Sequence, residues 1–120
     1  MPDKQFVFMV LEEHPYGREM LMQLMNAGHY PMAIIEEASD IAEEEKGKFL
    51  ERIKGHRVAP TFTELLEGKH IPRYKVPHHN KKQCRELMEE LKPDLGVLGG
   101  TRIIRKRILR IPPDGMLNSH

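Results

Sequence analysis

Short apolar runs alternate with segments of helical periodicity along this chain, and this alternation restricts its fold more than any other feature. The first run, Gln5 to Leu11, is continuous and rich in β-branched and aromatic residues, which is typical of a strand buried on both faces. Further apolar runs lie at 31–37 and 95–98, and between the runs apolar residues recur every three or four positions. The pattern predicts an open, mainly parallel α/β sheet with helices on both faces.

Turn and capping residues indicate where the elements begin and end. A helix is predicted from about Tyr16 to Ala27, with Gly28 as the residue that ends it. Pro72 interrupts the segment 71–76 and places it on a sheet edge. The starts of three further helices are predicted from capping residues: Asp40 with Glu43, Thr61 with Glu64, and Asn80.

The length and the cysteine content indicate one domain in a reducing compartment. A chain of 120 residues matches the ~100–200 residues usual for a single domain. The single Cys84 has no partner in the sequence for a disulfide or a cysteine-based metal site, which favours the cytoplasm. His78 and His79 are adjacent and would point to opposite sides, so no metal site is expected. The N-terminal apolar run is too short for a signal sequence or a membrane span, and no membrane association is expected.

Charge is distributed unevenly between the two halves. Residues 1–60 carry 7 Lys and Arg against 11 Asp and Glu, and residues 61–120 carry 12 against 7. The positive half contains a basic segment made of Arg102, Arg105, Lys106, Arg107 and Arg110. Such a segment can attract a phosphate or another acidic ligand, or it can be the solvated face of a short helix. No aromatic residue lies among these side chains, so nucleic acid is not expected as the main partner.

Several motifs of nucleotide-binding and hydrolytic enzymes are missing from the sequence. It has no Gly-x-Gly-x-x-Gly loop, no P-loop, no Gly-x-Ser-x-Gly elbow and no His-Glu-x-x-His. In an open parallel sheet, ligands bind beyond the carboxyl ends of the strands. The segments that follow the predicted strands are therefore the candidates for a site: 12–17, 36–40, 99–104 and 118–120.

The most specific pattern lies near the C-terminus. A Pro93-Asp94 pair precedes a buried strand, the loop Gly99 to Ile104 follows it, and the next strand ends in Asn118-Ser119-His120. In this order and spacing the segment resembles the folate-dependent formyltransferases, which pass a formyl group from 10-formyltetrahydrofolate to an amine. The helix Gly17-x-x-x-Leu21-x-x-Leu24 and the pair Gly28-His29 are also similar to the family's first helix. The resemblance implies a Rossmann-like sheet, of which residues 1–120 form a single N-terminal domain that is incomplete at its C-terminus.

The resemblance also implies roles for individual residues. The folate would be bound by Gly99, Gly100, Thr101, Arg102, Ile103 and Ile104, of which the last three would line the pterin pocket. Asn118 and His120 would be catalytic, because attack of an amine builds negative charge on the formyl oxygen and hydrogen-bond donors placed there lower the barrier. The His120 imidazole is also suited to proton transfer near neutral pH. Without the upstream pattern, the alternative interpretation is that Asn118 only ends a strand and that His120 is a solvated residue at the terminus.

Two departures from the family's pattern limit what the resemblance implies. The family's catalytic Asp and remaining strands lie beyond Asn-x-His, so the 120-residue chain alone is expected to be inactive and to self-associate through an exposed sheet edge. The loop Glu12 to Gly17 lacks the Gly-Asn-Gly phosphate cradle of the purine-pathway members. A sugar amine, as in a nucleotide-sugar, or an aminoacyl group is therefore favoured as the small-molecule acceptor over a phosphoribosyl amine.

A second hypothesis belongs to a different class of protein. The chain would then be a non-catalytic α/β binding or regulatory module whose basic second half holds an anionic partner. The sequence encoded after His120 discriminates the two hypotheses. A continuing frame with Pro-x-Leu-Leu-Pro and a later Asp favours the enzyme, and a stop codon favours the module.

Overall fold

A parallel sheet runs through the centre of this protein, whose computed structural model describes residues 4–118. Its strands are β1 (Phe6–Leu11), β2 (Ala33–Glu37), β3 (Arg73–Val76), β4 (Leu95–Leu98) and β5 (Met116–Asn118). They lie in the order β3-β2-β1-β4-β5, and each neighbouring pair is parallel. The predicted open parallel sheet is confirmed.

Helices cover both faces of the sheet. They are α1 (Pro15–Asn26), α2 (Asp40–Arg52), α3 (Phe62–Leu65), α4 (Lys82–Leu91) and α5 (Lys106–Leu109). Side chains alternate along a strand, so β1 sends Val7 to one face and Phe8 to the other. The face of Val7 packs on α4 and α5, for example on Met88, and the face of Phe8 packs on α1 and α3, for example on Leu21. No helix within residues 4–118 is long and apolar enough to cross a membrane.

The capping prediction was wrong for α2 and right for α3. The N-cap of α2 is Ser39, not Asp40, and the Ser39 Oγ accepts a hydrogen bond from the Ala42 backbone N–H at 3.1 Å. A hydroxyl is among the preferred N-cap groups, and Asp40 then occupies the first turn, where its charge suits the helix dipole. Thr61 and Glu64 form the predicted reciprocal capping box at the start of α3.

The capping prediction was also wrong for α4. Its N-cap is Lys81, which makes no side-chain capping bond. The Asn80 side chain is occupied elsewhere: its Nδ2 donates to the Ile103 carbonyl oxygen at 2.9 Å, and its Oδ1 accepts from the Arg105 backbone N–H at 2.7 Å. Both polar groups of the amide therefore bind a distant loop, and neither is left for the helix.

The order of the strands reverses at the centre of the sheet. From β1 the chain moves outward to β2 and then to the edge strand β3, as Pro72 predicts, before it crosses back to β4 and the other edge strand, β5. On β5 the side chain of Leu117 is 62% exposed. The carboxyl ends of β1 and β4, where the order reverses, form the crevice in which open α/β sheets bind ligands.

Candidate functional site

A cleft of about 630 Å³ opens beyond the carboxyl ends of β1 and β4. Its volume lies within the ~300–1,000 Å³ usual for small-molecule sites. The loop after β4, the start of α1, the second half of α2 and the strand β5 supply its walls. Apolar side chains and a few polar groups make up the lining: His14, Tyr16, Glu45, Phe49, Arg52, Leu98, Gly100, Thr101, Arg102, Ile103, Ile104, Leu109, Met116 and Asn118.

Six of the eight residues predicted to form the site line this one cleft. They are Gly100, Thr101, Arg102, Ile103, Ile104 and Asn118. Gly99 lies next to the cleft and is not part of its lining. His120 lies outside the described residues. The folded chain thus brings the loop after β4 and the end of β5 together.

Gly99 allows the loop after β4 to pass close to both β1 and α1. A Cβ at this position would lie 2.2 Å from the Phe8 Cζ, a distance that no side chain can occupy without displacing the ring. The Gly99 carbonyl oxygen would in turn lie 2.4 Å from a Cβ placed on Gly17 in α1. Gly100 follows with φ 87°, a backbone conformation that favours glycine. The start of α1 and this loop, which both line the cleft, therefore lie in close contact.

The two isoleucines of the loop face opposite ways. Ile104 is 6% exposed and belongs to the apolar core beneath the cleft. Ile103 is 87% exposed at the cleft. Ile104 therefore supplies an apolar floor, and Ile103 supplies apolar surface on which a ligand can pack.

The charge of Arg102 is neutralised by a fully buried carboxylate at the end of β2. Its Nε and Nη2 donate to the Glu37 Oε1 and Oε2 at 2.8 and 2.5 Å. Glu37 also accepts hydrogen bonds from the Ser39 hydroxyl at 2.6 Å and from the His79 backbone N–H at 2.9 Å. Burial alone raises the pKa of Glu37, but these hydrogen bonds outweigh it and lower the pKa to about 2. Within the basic segment, the charge of Arg102 is therefore paired and not available to an anionic partner.

His14 is a polar residue of the cleft that the sequence analysis did not identify. It is 7% exposed, caps α1, and its Nδ1 accepts a hydrogen bond from the Tyr16 backbone N–H at 3.2 Å. Burial lowers the pKa of His14, so the ring is neutral near pH 7 and carries its proton on Nε2. The His-Pro pair directly after the first strand was the available signal, because Pro is frequent at the first helical position and the preceding residue is then the cap.

The wall formed by α2 was also missed. Phe49 contacts the His14 ring with centroids 5.0 Å apart, and the Arg52 guanidinium lies 5.5 Å above the Phe49 ring. Glu45 completes this wall one turn earlier. The available signal was that Phe49 is the one aromatic residue in this largely charged helix.

The paired histidines point in different directions, as predicted. His79 is fully buried: its Nε2 donates to the Ile35 carbonyl oxygen at 2.9 Å, and its Nδ1 has no hydrogen-bond partner among residues 4–118. Burial lowers the pKa of His79 and keeps it neutral. His78 is partly exposed and accepts from the Asn80 backbone N–H. Within the described part of the chain, no group of three or more His, Cys, Asp or Glu side chains is arranged to hold a metal ion.

Comparisons with known proteins agree with this fold. No family model matches the sequence, and no curated protein matches it. Among solved structures, the chain is similar to the crystal structure of glycinamide ribonucleotide transformylase 1 from Symbiobacterium toebii, with a TM-score of 0.52 and 14% sequence identity. The match covers 96% of this chain and 50% of that chain, so the chain spans about half the length of that transformylase. The protein is thus an α/β protein with a Rossmann-like open sheet, and it shares this fold with a formyltransferase.

Proposed function

We propose that this chain binds 10-formyltetrahydrofolate in the cleft and takes part in transferring its formyl group to an amine. The observation that carries the proposal is the meeting of Asn118 with the loop 100–104 at the reversal point of the sheet. The shared fold with a transformylase supports the same chemistry. The formyl donor supplies, when bound, an electrophilic carbonyl carbon for the amine to attack.

The lining of the cleft suits a flat heteroaromatic ligand with a polar edge. Leu98, Ile104 and Phe49 present apolar surface to the faces of a ring, and the backbone of the loop presents polar groups to its edge. Arg52, above the Phe49 ring, places a positive charge beside the cleft, where the anionic end of a folate can be held. These residues fit the proposed donor in size, polarity and charge.

Asn118 is the residue to which the proposal gives a direct part in the chemistry. It ends β5 and lines the cleft, so its side-chain amide can donate to an oxygen on which negative charge develops. A fixed donor of this kind lowers the barrier because it stabilises the transition state more than the ground state. The role of His120 as second donor and proton carrier stays a prediction from the sequence.

The start of α1 disfavours an acceptor that carries a phosphate. Free backbone N–H groups at a helix N-terminus are what usually holds a phosphate. Here Pro15 has no N–H, and the Tyr16 N–H is taken by the His14 Nδ1. A sugar amine or an aminoacyl group remains the proposed acceptor, in contrast to the ribonucleotide named for the structural neighbour.

Calorimetric titration with 5-formyltetrahydrofolate, a stable formylated folate, tests the proposal. The wild-type chain should bind it, and Ile103→Ser should weaken binding by about tenfold, since about 1–2 kcal/mol of apolar contact is lost. Ile103 is exposed, so this substitution leaves the core intact. Ile41→Ser is a matched control, because Ile41 is 43% exposed on α2 and does not line the cleft. Absence of binding by the wild type overturns the proposed function, and equal affinity in Ile103→Ser removes this loop from the site.

A further inference from the structure

Two contacts from neighbouring segments hold the loop after β4 in place. On one side of Ile103, the Arg102 guanidinium makes two hydrogen bonds to the buried Glu37 carboxylate, across 65 positions of sequence. On the other side, Asn80 accepts from the Arg105 backbone N–H and donates to the Ile103 carbonyl oxygen. The backbone from 102 to 105 is therefore attached at both ends, and we refer to Glu37, Asn80 and Arg102 as the loop clamp.

The carboxylate in the loop clamp is itself rigidly held. Glu37 lies in β2, is fully buried, and is hydrogen-bonded by the Ser39 hydroxyl and the His79 backbone N–H in addition to Arg102. A bidentate guanidinium–carboxylate pair fixes the relative orientation of its two partners as well as their distance. The Arg102 guanidinium is thereby bound to the end of β2, and its charge is not free for a ligand in the cleft.

The clamp holds a large apolar side chain at the cleft surface. Ile103 is 87% exposed and lines the cleft. Its carbonyl oxygen is bound by Asn80 and its preceding residue is bound by Glu37, so the loop cannot turn over without breaking both contacts. A binding surface held ready in this way loses less entropy when a ligand arrives.

We infer that Glu37 and Asn80 are positioning residues for the cleft, and that Arg102 acts by anchoring the loop rather than by presenting its charge to the ligand. The identity of the ligand rests on the proposed function, whereas the anchoring does not. A direct contact between Arg102 and an anionic ligand is the competing role.

The molecule contains a matched control for this inference. On the opposite face of the sheet, Arg73 binds the neighbouring buried carboxylate, Glu36, through its Nε and Nη2. Glu36 is also fully buried, and the other hydrogen bonds of Arg73 go to Thr63 and Glu13 and not to the loop 100–105. Arg73→Met therefore reports the cost of removing a partner from a buried carboxylate without disturbing the loop clamp.

The experiment compares Glu37→Gln, Arg102→Met, their double variant, Asn80→Ala and the control Arg73→Met. Hydrogen exchange of the Arg105 backbone N–H reports the loop, and titration with 5-formyltetrahydrofolate reports the cleft. We expect exchange at Arg105 to be at least about tenfold faster in Glu37→Gln and Arg102→Met, and folate affinity to fall at least about tenfold in these and in Asn80→Ala. The double variant should lose no more affinity than Arg102→Met, because Glu37→Gln and Arg102→Met both remove the same contact. Arg73→Met should leave exchange at Arg105 unchanged.

Three results would overturn the inference. Unchanged exchange at Arg105 in Glu37→Gln and in Arg102→Met would show that the contact between these two residues does not hold the loop. Retained or increased folate affinity in Glu37→Gln, together with a loss in Arg102→Met, would show that Arg102 contacts the ligand directly. Equal effects in Arg73→Met would show a general loss of stability. If Glu37→Gln does not fold, Asn80→Ala decides, since Asn80 is not fully buried. If the wild type binds no folate, the proposed function fails while the exchange measurements still decide the anchoring.

Discussion

Replacing Gly17 by alanine should destabilise the protein, although alanine is the better helix former, because the site beside the cleft has no room for a Cβ. A Cβ at Gly17 would lie 2.3 Å from the Val10 Cγ2 and 2.4 Å from the Gly99 carbonyl oxygen. Neither atom can yield easily, because Val10 is fully buried with a stiff branched side chain and the Gly99 oxygen belongs to the backbone. Relief of the contact requires α1 and the loop after β4 to separate by about 1 Å, since van der Waals contact begins near ~3.4 Å.

The size of the effect follows from two opposing contributions. In a helix, alanine is more favourable than glycine by about 0.5–1 kcal/mol. Overpacking of a rigid site costs about 1–3 kcal/mol and sometimes more. Gly47 in α2 provides the control, because a Cβ placed there meets no described atom within 4 Å apart from its chain neighbours and the backbone of its own helix. Gly47→Ala should therefore stabilise the protein by about 0.5–1 kcal/mol, and Gly17→Ala should destabilise it by about 1–2 kcal/mol.

Thermal and denaturant unfolding followed by circular dichroism measures this difference. For a domain of this length about 1 kcal/mol corresponds to roughly 4 °C in Tm, so the two variants should differ in Tm by roughly 6–12 °C. Folate affinity should also fall in Gly17→Ala, because His14 and Tyr16 move with the start of α1. A Gly17→Ala protein as stable as Gly47→Ala would refute the close approach of α1 to Gly99.

Three further predictions address charge, chemistry and association. The pKa of Glu37 falls from 4.5 to about 2 on folding, so its interactions add about 3 kcal/mol to the free energy of unfolding above pH ~4.5. This contribution is lost as the pH falls towards ~2, and urea unfolding between these pH values should show the loss. An equally steep fall in Glu37→Gln would contradict it. In a form of the protein that catalyses formyl transfer, Asn118→Ala should lower kcat by about a hundredfold with little change in folate affinity, and full activity would remove Asn118 from the catalytic set. Association through the β5 edge is expected in analytical ultracentrifugation, and Leu117→Lys should reduce it; a wild-type monomer at all concentrations argues against this edge.

The sequence by itself determined the architecture and the segments in which a site was to be sought. Apolar runs and helical periodicity are local patterns, and they were enough to predict the strands β1, β2 and β4, the helix α1 and the parallel arrangement. A parallel sheet brings the carboxyl ends of its strands to one edge, and this rule selected four segments as candidates. The family resemblance then singled out the loop 99–104 and Asn118, and residues 100–104 and Asn118 line one cleft. The capping box of Thr61 and Glu64 was equally legible, because its partners are three residues apart.

Only the tertiary structure decided which polar groups pair and which side chains face the cleft. Glu37 and Arg102 are 65 positions apart, and their bond depends on a carboxylate being buried at the end of a central strand. Asn80 was predicted as a helix cap on local grounds and instead binds the backbone of a distant loop. Ile103 and Ile104 are chemically identical neighbours, and the folded loop leaves the first exposed and buries the second in the core. The physical reason is that the free energy of burying a polar group depends on partners that folding brings from far along the chain.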